Sequence, residues 1–376
     1  MKSLLVRWTK VAPVGAAFVV LVLIGCGGDA PDETSSGPAM WQHQGEAQGT
    51  TYLVKYLSEE PVAQSGIDSI LAEVDRAANL WMPESIISRV NAWDREDTVF
   101  SFRDDSFVFT SLWLQSEEIH RMTDGAFDPT VLPLVELWGF GLSERGEVTP
   151  EQVEEVRHWV GLQNGVMDLN PVEEAYQIVR TDIRKRYKEA KLDFNSIAQG
   201  FTVDLILEWL LDAGIQNAMV EIGGEVRCAG VNDRGEPWHI AIDQPLFTGV
   251  EDRQLEAIVA LSDQAVCTSG SYRKFYEEDG VKRSHTIDPT TGYPVDHGLL
   301  SATIRAKSAA RADALATACM VMGFERARGF IADYQRDFPE EGLEAVLLVA
   351  KEGGGWRTWV THGWGDTLIP LRESGS

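Results

Sequence analysis

The sequence predicts an α+β fold of antiparallel strands and packed helices, and three observations carry that expectation. Residues Thr50–Leu57 alternate polar and apolar side chains with a period of two, as a half-buried strand does. Ile67, Ile70, Leu71, Val74 and Ala78 recur at helical spacing within 67–80. Between Met219 and Ser269, short apolar runs are punctuated by Gly223-Gly224, Gly230, Asp233-Arg234-Gly235 and Pro245, a pattern of strands joined by turns. Strands therefore come in groups with helices between them. That favours α+β over a regular strand–helix–strand series.

The remaining elements follow the same two periods. Helices are expected over 106–122, 151–160 and 195–213, the last stopped by Gly214. A strand over 300–306 leads to Ser308, which suits an N-cap, and the helix it opens is stopped by Gly323. A further helix over 324–334 and strands near Val346 and Trp356 close the chain. No repeat of solenoid period is present.

Residues 1–25 have the form of an export signal. Lys2, Arg7 and Lys10 supply the charge, and Val11–Ile24 the apolar stretch, which is short for a membrane span. It ends in Leu23-Ile24-Gly25-Cys26, the pattern after which a bacterial cysteine is lipidated and becomes the first residue. Acyl groups on Cys26 would anchor the chain without spanning the bilayer. The polar stretch 26–42 reads as a flexible tether, and 43–365 as the functional domain. This places the protein in the bacterial cell envelope, lipid-anchored on the periplasmic side. Losing Lys2, Arg7 and Lys10 takes the formal charge from −25 to −28. So acidic a chain argues against nucleic acid as a partner and implies that an anionic substrate arrives with a cation. Cys228, Cys267 and Cys319, an odd set in apolar settings, read as buried free thiols.

The densest chemistry lies in His285-Thr286-Ile287-Asp288-Pro289-Thr290-Thr291-Gly292-Tyr293-Pro294, an imidazole three residues before a carboxylate in a forced turn. Beyond it, Asp313 and Thr317 lie four apart on the helix opened by Ser308, so their oxygens share one face. Two such ligands beside a His-Asp turn suit Mg²⁺ and a phosphate substrate. An acid near a helix start also favours the dipole, with no ligand at all. The segment 125–141 combines glycines with Phe127, Trp138 and Phe140, a flat apolar surface for a ring system or simply a packed loop; Asp128 before Pro129 is held extended. The run Asp193–Phe201 leads a strand into a helix N-terminus, which can bind phosphate or merely carry a cap. Glu221-Ile222-Gly223-Gly224-Glu225 reads as a bend between strands, and Thr268–Arg273 as a cluster of hydroxyls with one guanidinium. No Gly-x-Ser-x-Gly elbow or His-Glu-x-x-His helix is present.

Taken in order, these pieces resemble the ApbE-type flavin transferases, FAD:protein FMN transferases, over roughly residues 43–350. The landmarks are Gly49-Thr50-Thr51-Tyr52, the Ser85, Ser88 and Asn91 spacing, Gly125–Thr130 with Pro133-Leu134 and Trp138–Gly141, Asn195–Asp204, Gly223-Gly224-Glu225, Thr268–Arg273, His285–Pro294 and Ala312–Thr317. The resemblance implies a mixed α/β core related to the T-fold and transfer of FMN from FAD to a Ser or Thr hydroxyl, releasing AMP. It implies Mg²⁺ at Asp313, Thr317 and the backbone of Ala198. Flavin contacts would fall at Gln48, Trp81, Ala126, Phe127, Asp128, Phe201 and Ile287. His285 would lie near the pyrophosphate, and His285 or Asp288 would take the hydroxyl proton. Its partners would be FAD and the flavoprotein subunit of a membrane redox complex, which favours the inner membrane.

Three positions depart from the family's usual residues. Gln48 stands where many members have Met, Trp81 where Tyr is common, and Gln199 where many have Lys. Two alternatives share the substrate: a Mg²⁺-dependent FAD pyrophosphatase giving FMN and AMP, and a lipoprotein that binds FAD without turning it over. On the anchor the expectation is sharp. Cys26→Ser should leave a soluble or unprocessed protein on fractionation; normal cleavage with unchanged membrane association would rule out lipidation at Cys26.

Overall fold

A computed structural model of the chain describes residues 37–140, 146–174, 177–243, 255–270, 275–278, 281–284 and 286–370. It opens with β1 (Ala39–Ala47), β2 (Thr50–Ser58), α1 (Gln64–Ala78), α2 (Ile86–Asn91), β3 (Thr98–Phe102), α3 (Val108–Met122), α4 (Leu132–Leu137) and α5 (Pro150–Arg157). Next come β4 (Met167–Glu174), β5 (Gln177–Lys185), α6 (Ala198–Asp212), β6 (Ala218–Ile222), β7 (Glu225–Ala229), β8 (Trp238–Asp243), β9 (Leu255–Leu261) and β10 (Gln264–Gly270). The chain closes with β11 (Phe275–Glu278), β12 (Val281–Ser284), β13 (Leu299–Ala306), α7 (Ala309–Asp337), β14 (Glu344–Ala350), β15 (Trp356–Val360) and β16 (Leu368–Pro370).

Eight strands form the central sheet in the order β1-β2-β6-β7-β10-β13-β14-β15, every neighbouring pair antiparallel. Both faces are covered, which is why all five residues of β6 are buried. Val220 and Ile222 point toward the helices, while Met219 joins Val226, Cys228, Trp238, Ile240 and Trp364 on the opposite face. The second layer there is the three-stranded sheet β16-β9-β8. On the helical side α6 and α7 lie over β6, β7, β10 and β13, and the contact is lined with Ala218, Ala302, Ala306, Ala312 and Ala316, whose small side chains let helix and sheet approach closely. The expected α+β class with antiparallel strands is what the molecule has.

Several expected boundaries shift for local reasons. β1 begins at Ala39, inside the stretch 26–42 expected to be tether; as an edge strand it is mostly half-exposed and reads as polar. Helix α6 starts at Ala198 rather than Asn195, because the Asp193 carboxylate accepts the Asn195 N–H at 2.7 Å and holds 195–197 in a turn. The strand expected to lead into it is absent, residues 186–197 being turn and irregular backbone after β5. The hairpin β4–β5 was not expected, since Pro171 interrupts its pattern; β4 sits at the edge of β3-β5-β4, where the missing N–H costs no ladder bond. The stop at Gly323 holds. That residue has φ 71° and ψ 173°, so α7 is two helices meeting at a kink.

One junction sets the relation of α6 to α7. Asp204 on α6 accepts the Ser308 hydroxyl (2.8 Å) and the Ala309 and Ala310 N–H groups (both 2.9 Å), satisfying the donors that open α7. Arg227 on β7 balances its charge at 2.8 Å. The predicted Ser308 cap is present as well, accepting the Arg311 N–H at 3.2 Å. Gly200 makes this closeness possible: a Cβ there would stand 2.3 Å from the Ala309 carbonyl oxygen. Gly200→Ala must therefore push the helices apart. A loss of about 1–3 kcal/mol is expected in denaturant unfolding, and an unchanged midpoint would show that the contact tolerates a methyl group.

Candidate active site

The α6–α7 junction carries the residues expected to hold a metal. Asp313 is buried on α7 and accepts the Gly200 N–H at 3.2 Å, a bond from the first turn of α6. One turn on, the Thr317 hydroxyl is 3.1 Å from that of Ser269 on β10. The Ala198 carbonyl accepts the Thr202 hydroxyl at 2.7 Å, and that hydroxyl accepts the Gln48 amide N–H at 2.6 Å. Gln48, Ala198, Asp313 and Thr317 are thus gathered from the β1–β2 turn, α6 and α7. Gln48 occupies that turn with φ +52°, and its Oε1 is buried without a partner. Gln199 packs beside the Gly223 turn, where a Cβ would meet its amide nitrogen at 3.0 Å.

The charge at this junction is unbalanced. Burial, moderated by the Gly200 hydrogen bond and reinforced by Asp204, lifts the Asp313 carboxyl to about 7. Burial also pushes Glu225 on β7 well up, with Asp313 adding to the effect, and Glu225 Oε2 has no hydrogen-bond partner. The donors that converge are carboxylate, hydroxyl and carbonyl oxygens. Among the described residues no group of three or more His, Cys, Asp and Glu side chains that could hold a metal ion occurs, so a cation here would rely on hydroxyl and carbonyl oxygens beside the carboxylates. Hard oxygens with excess negative charge fit a small divalent cation such as Mg²⁺.

A second group surrounds the 125–140 segment and the turn 286–294. Trp138 donates its indole N–H to the Gly292 carbonyl at 2.8 Å, gripping the turn. Asp288 holds the turn from within: its carboxylate accepts the Thr290 N–H at 2.8 Å, and its carbonyl accepts the Gly292 N–H, also at 2.8 Å. Ile287 is buried against Leu134, Trp138 and Val153. The two groups are joined by the Asp193 N–H, which donates to the Pro129 carbonyl at 2.7 Å. Burial raises the Asp193 carboxyl to about 6. His285, the lipidation residue Cys26, and 271–274 of the hydroxyl cluster lie outside the described residues.

The expected flavin contacts divide sharply by exposure. Trp81 projects from the turn between α1 and α2 and is 66% exposed, a large flat ring facing solvent. Ala126, Phe127 and Phe201 are core residues, so the Phe127 ring is not part of an open stacking surface along 125–141. Asp128 also departs from expectation. Its carboxylate accepts the Thr130 N–H (2.8 Å) and hydroxyl (2.5 Å) and the Leu162 N–H (3.3 Å), and lies 3.4 Å from His120 Nδ1. The side chain is fully enclosed and fastens the loop. The Asp-x-Thr spacing of Asp128 and Thr130, a side chain bonding the backbone two residues on, was the available signal for this role.

Such a fold is mixed α+β with an antiparallel central sheet, and it places buried carboxylate, hydroxyl and carbonyl oxygens on neighbouring turns of α6 and α7. The chain belongs to the ApbE family, which it matches over residues 48–340. The FAD:protein FMN transferase of Haemophilus influenzae is 35% identical over 84% of this chain and 87% of its own length; that of Vibrio cholerae is 35% identical over 91% and 94%. Among solved structures, the flavin transferase ApbE from Vibrio cholerae superposes with a TM-score of 0.73 at 32% identity, covering 88% of this chain and 99% of that one. The flavinyl transferase ApbE of Pseudomonas stutzeri, in apo form, gives 0.72 at 32% identity over 88% and 97%.

The raised Asp313 carboxyl has a consequence for stability. Its value rises from 3.8 to about 7 on folding, so the metal-free folded state holds a proton that the unfolded chain gives up. Across that window the folded state binds more protons, and stability falls as pH rises. In EDTA, the melting temperature of the protein should drop from pH 4 to 7 more steeply than that of Asp313→Asn. Parallel curves would mean that Asp313 is ionised throughout.

Proposed function

We propose that this protein transfers FMN from FAD to a Ser or Thr hydroxyl of an acceptor protein and releases AMP. The observation that supports the proposal is the bond from Gly200, two residues beyond Ala198 on α6, to Asp313, one turn before Thr317 on α7, in a chain whose relatives are named for this reaction. Asp313, Thr317 and the Ala198 carbonyl would hold Mg²⁺, which when bound neutralises charge on the pyrophosphate oxygens. The acceptor oxygen bonds to the FMN phosphorus as the pyrophosphate P–O bond breaks, and AMP leaves. His285 or Asp288 receives the hydroxyl proton, contributing on the order of 10²–10⁴-fold. In Asp288 the Oδ1 atom already accepts the Thr290 N–H, which leaves Oδ2 for the proton. Trp81, exposed at the α1–α2 turn, supplies a stacking face for the isoalloxazine.

The reaction fits a protein tethered through Cys26 to the periplasmic face of the inner membrane, acting on the flavoprotein subunit of a redox complex there; Leu23–Cys26 behind the apolar stretch supports this setting. Incubation with FAD, Mg²⁺ and a purified acceptor domain should yield AMP and a covalently fluorescent acceptor, and Asp313→Ala should yield neither. AMP with free FMN would make the protein a pyrophosphatase instead, and unchanged FAD would make it a binding protein.

A further inference from the structure

The motif Glu221–Glu225 is a part of the sequence pattern that this chemistry does not use, and the fold gives its last residue a specific place. Side chains alternate along β7. Arg227 reaches Asp204 on α6, so Glu225, two residues earlier, faces the same helical layer. Register agrees. β10 pairs with β7 through Val266 and Val226, which sets Cys267 beside Glu225. Cys267 touches the Ala309 carbonyl at 3.3 Å and Ser269 reaches Thr317, so this stretch of β10 runs beneath α7 from residue 309 to residue 317. Asp313 is the residue between them on that face. Glu225 is 5% exposed, and its Oε2 has neither a hydrogen-bond partner nor contact with water. Arg227, the cation nearest along its strand, is committed to Asp204 and Glu208.

A buried carboxylate oxygen left unpartnered is costly, and one set toward a second buried carboxylate more so. A divalent cation removes both costs together. Asp313 contributes a single negative charge, while Thr317 and the Ala198 carbonyl contribute none, which leaves one positive charge of Mg²⁺ uncompensated in an enclosed place. We propose that Glu225 supplies the second negative charge of the Asp313 cation site, so that the protein and not only the phosphate substrate neutralises the metal. The inference rests on the reading that a cation binds at Asp313. It predicts that Mg²⁺ binds measurably before FAD arrives.

Calorimetric titration of the FAD-free protein with MgCl₂ tests it. The protein should bind one equivalent, Asp313→Asn should abolish binding, and Glu225→Gln, equal in size and shape, should weaken it by about tenfold or more. Glu225→Asp, which keeps the charge, should bind more tightly than Glu225→Gln; a purely structural role for Glu225 would make Asp as damaging as Gln. Wild-type affinity in a folded Glu225→Gln would overturn this proposal and leave the Asp313 site standing. Unchanged binding in Asp313→Asn, or none in the wild type, would overturn the site itself.

Discussion

The carboxylate of Asp204 is the interaction on which the rest of the site depends. It spends both oxygens on the opening N–H groups and hydroxyl of α7 while remaining paired with Arg227 on the sheet. An N-cap supplied from another helix fixes more than a helix end: it fixes where α7 starts relative to α6. With Gly200 allowing backbone contact at Ala309, the first turn of α6 comes down on Asp313. The Ala198 carbonyl and the Asp313 carboxylate, 115 positions apart in sequence, meet because of that docking. A looser junction would leave both residues in place in the sequence and destroy the site.

The second constraint is electrostatic. Folding takes Asp313 and Glu225 out of water on adjoining elements, and Arg227, two residues from Glu225 along β7, is already paired with Asp204 and Glu208. Hydrophobic packing of α6 and α7 over the sheet imposes this arrangement on the carboxylates. In a chain of formal charge −25, a cation is the natural complement of such a place, and it offsets the carboxylate charge that would otherwise repel a substrate pyrophosphate. Stability and function therefore pull against each other at Asp313, as is common where a site is built for a ligand.

Much of this was legible in the sequence, and for identifiable reasons. The helical spacing of Asp313 and Thr317, the Ser308 cap and the Gly323 stop are local signals, and the structure has all of them. What depends on tertiary context was not legible. The Asp-x-Thr spacing signals the bond from Thr130 to Asp128, but nothing local announces the bond from Leu162, nor that Phe127 and Phe201 belong to the core. The edge strand β1 and the hairpin β4–β5 escaped because edge positions tolerate polar residues and proline, the same features that mark loops. Glu225 read as part of a bend; its burial follows from β10 and α7 covering it, and both lie far along the chain.

The central claim is that a hard cation sits where α6 meets α7, held by Asp313. Anomalous diffraction from crystals grown with MnCl₂ and FAD, Mn²⁺ standing in for Mg²⁺, addresses it without relying on turnover. A single strong peak within bonding distance of Asp313, Thr317 and the Ala198 carbonyl, on the side of the FAD pyrophosphate, is the predicted result. FAD in clear density with no peak at Asp313, or with the metal elsewhere, would contradict the account.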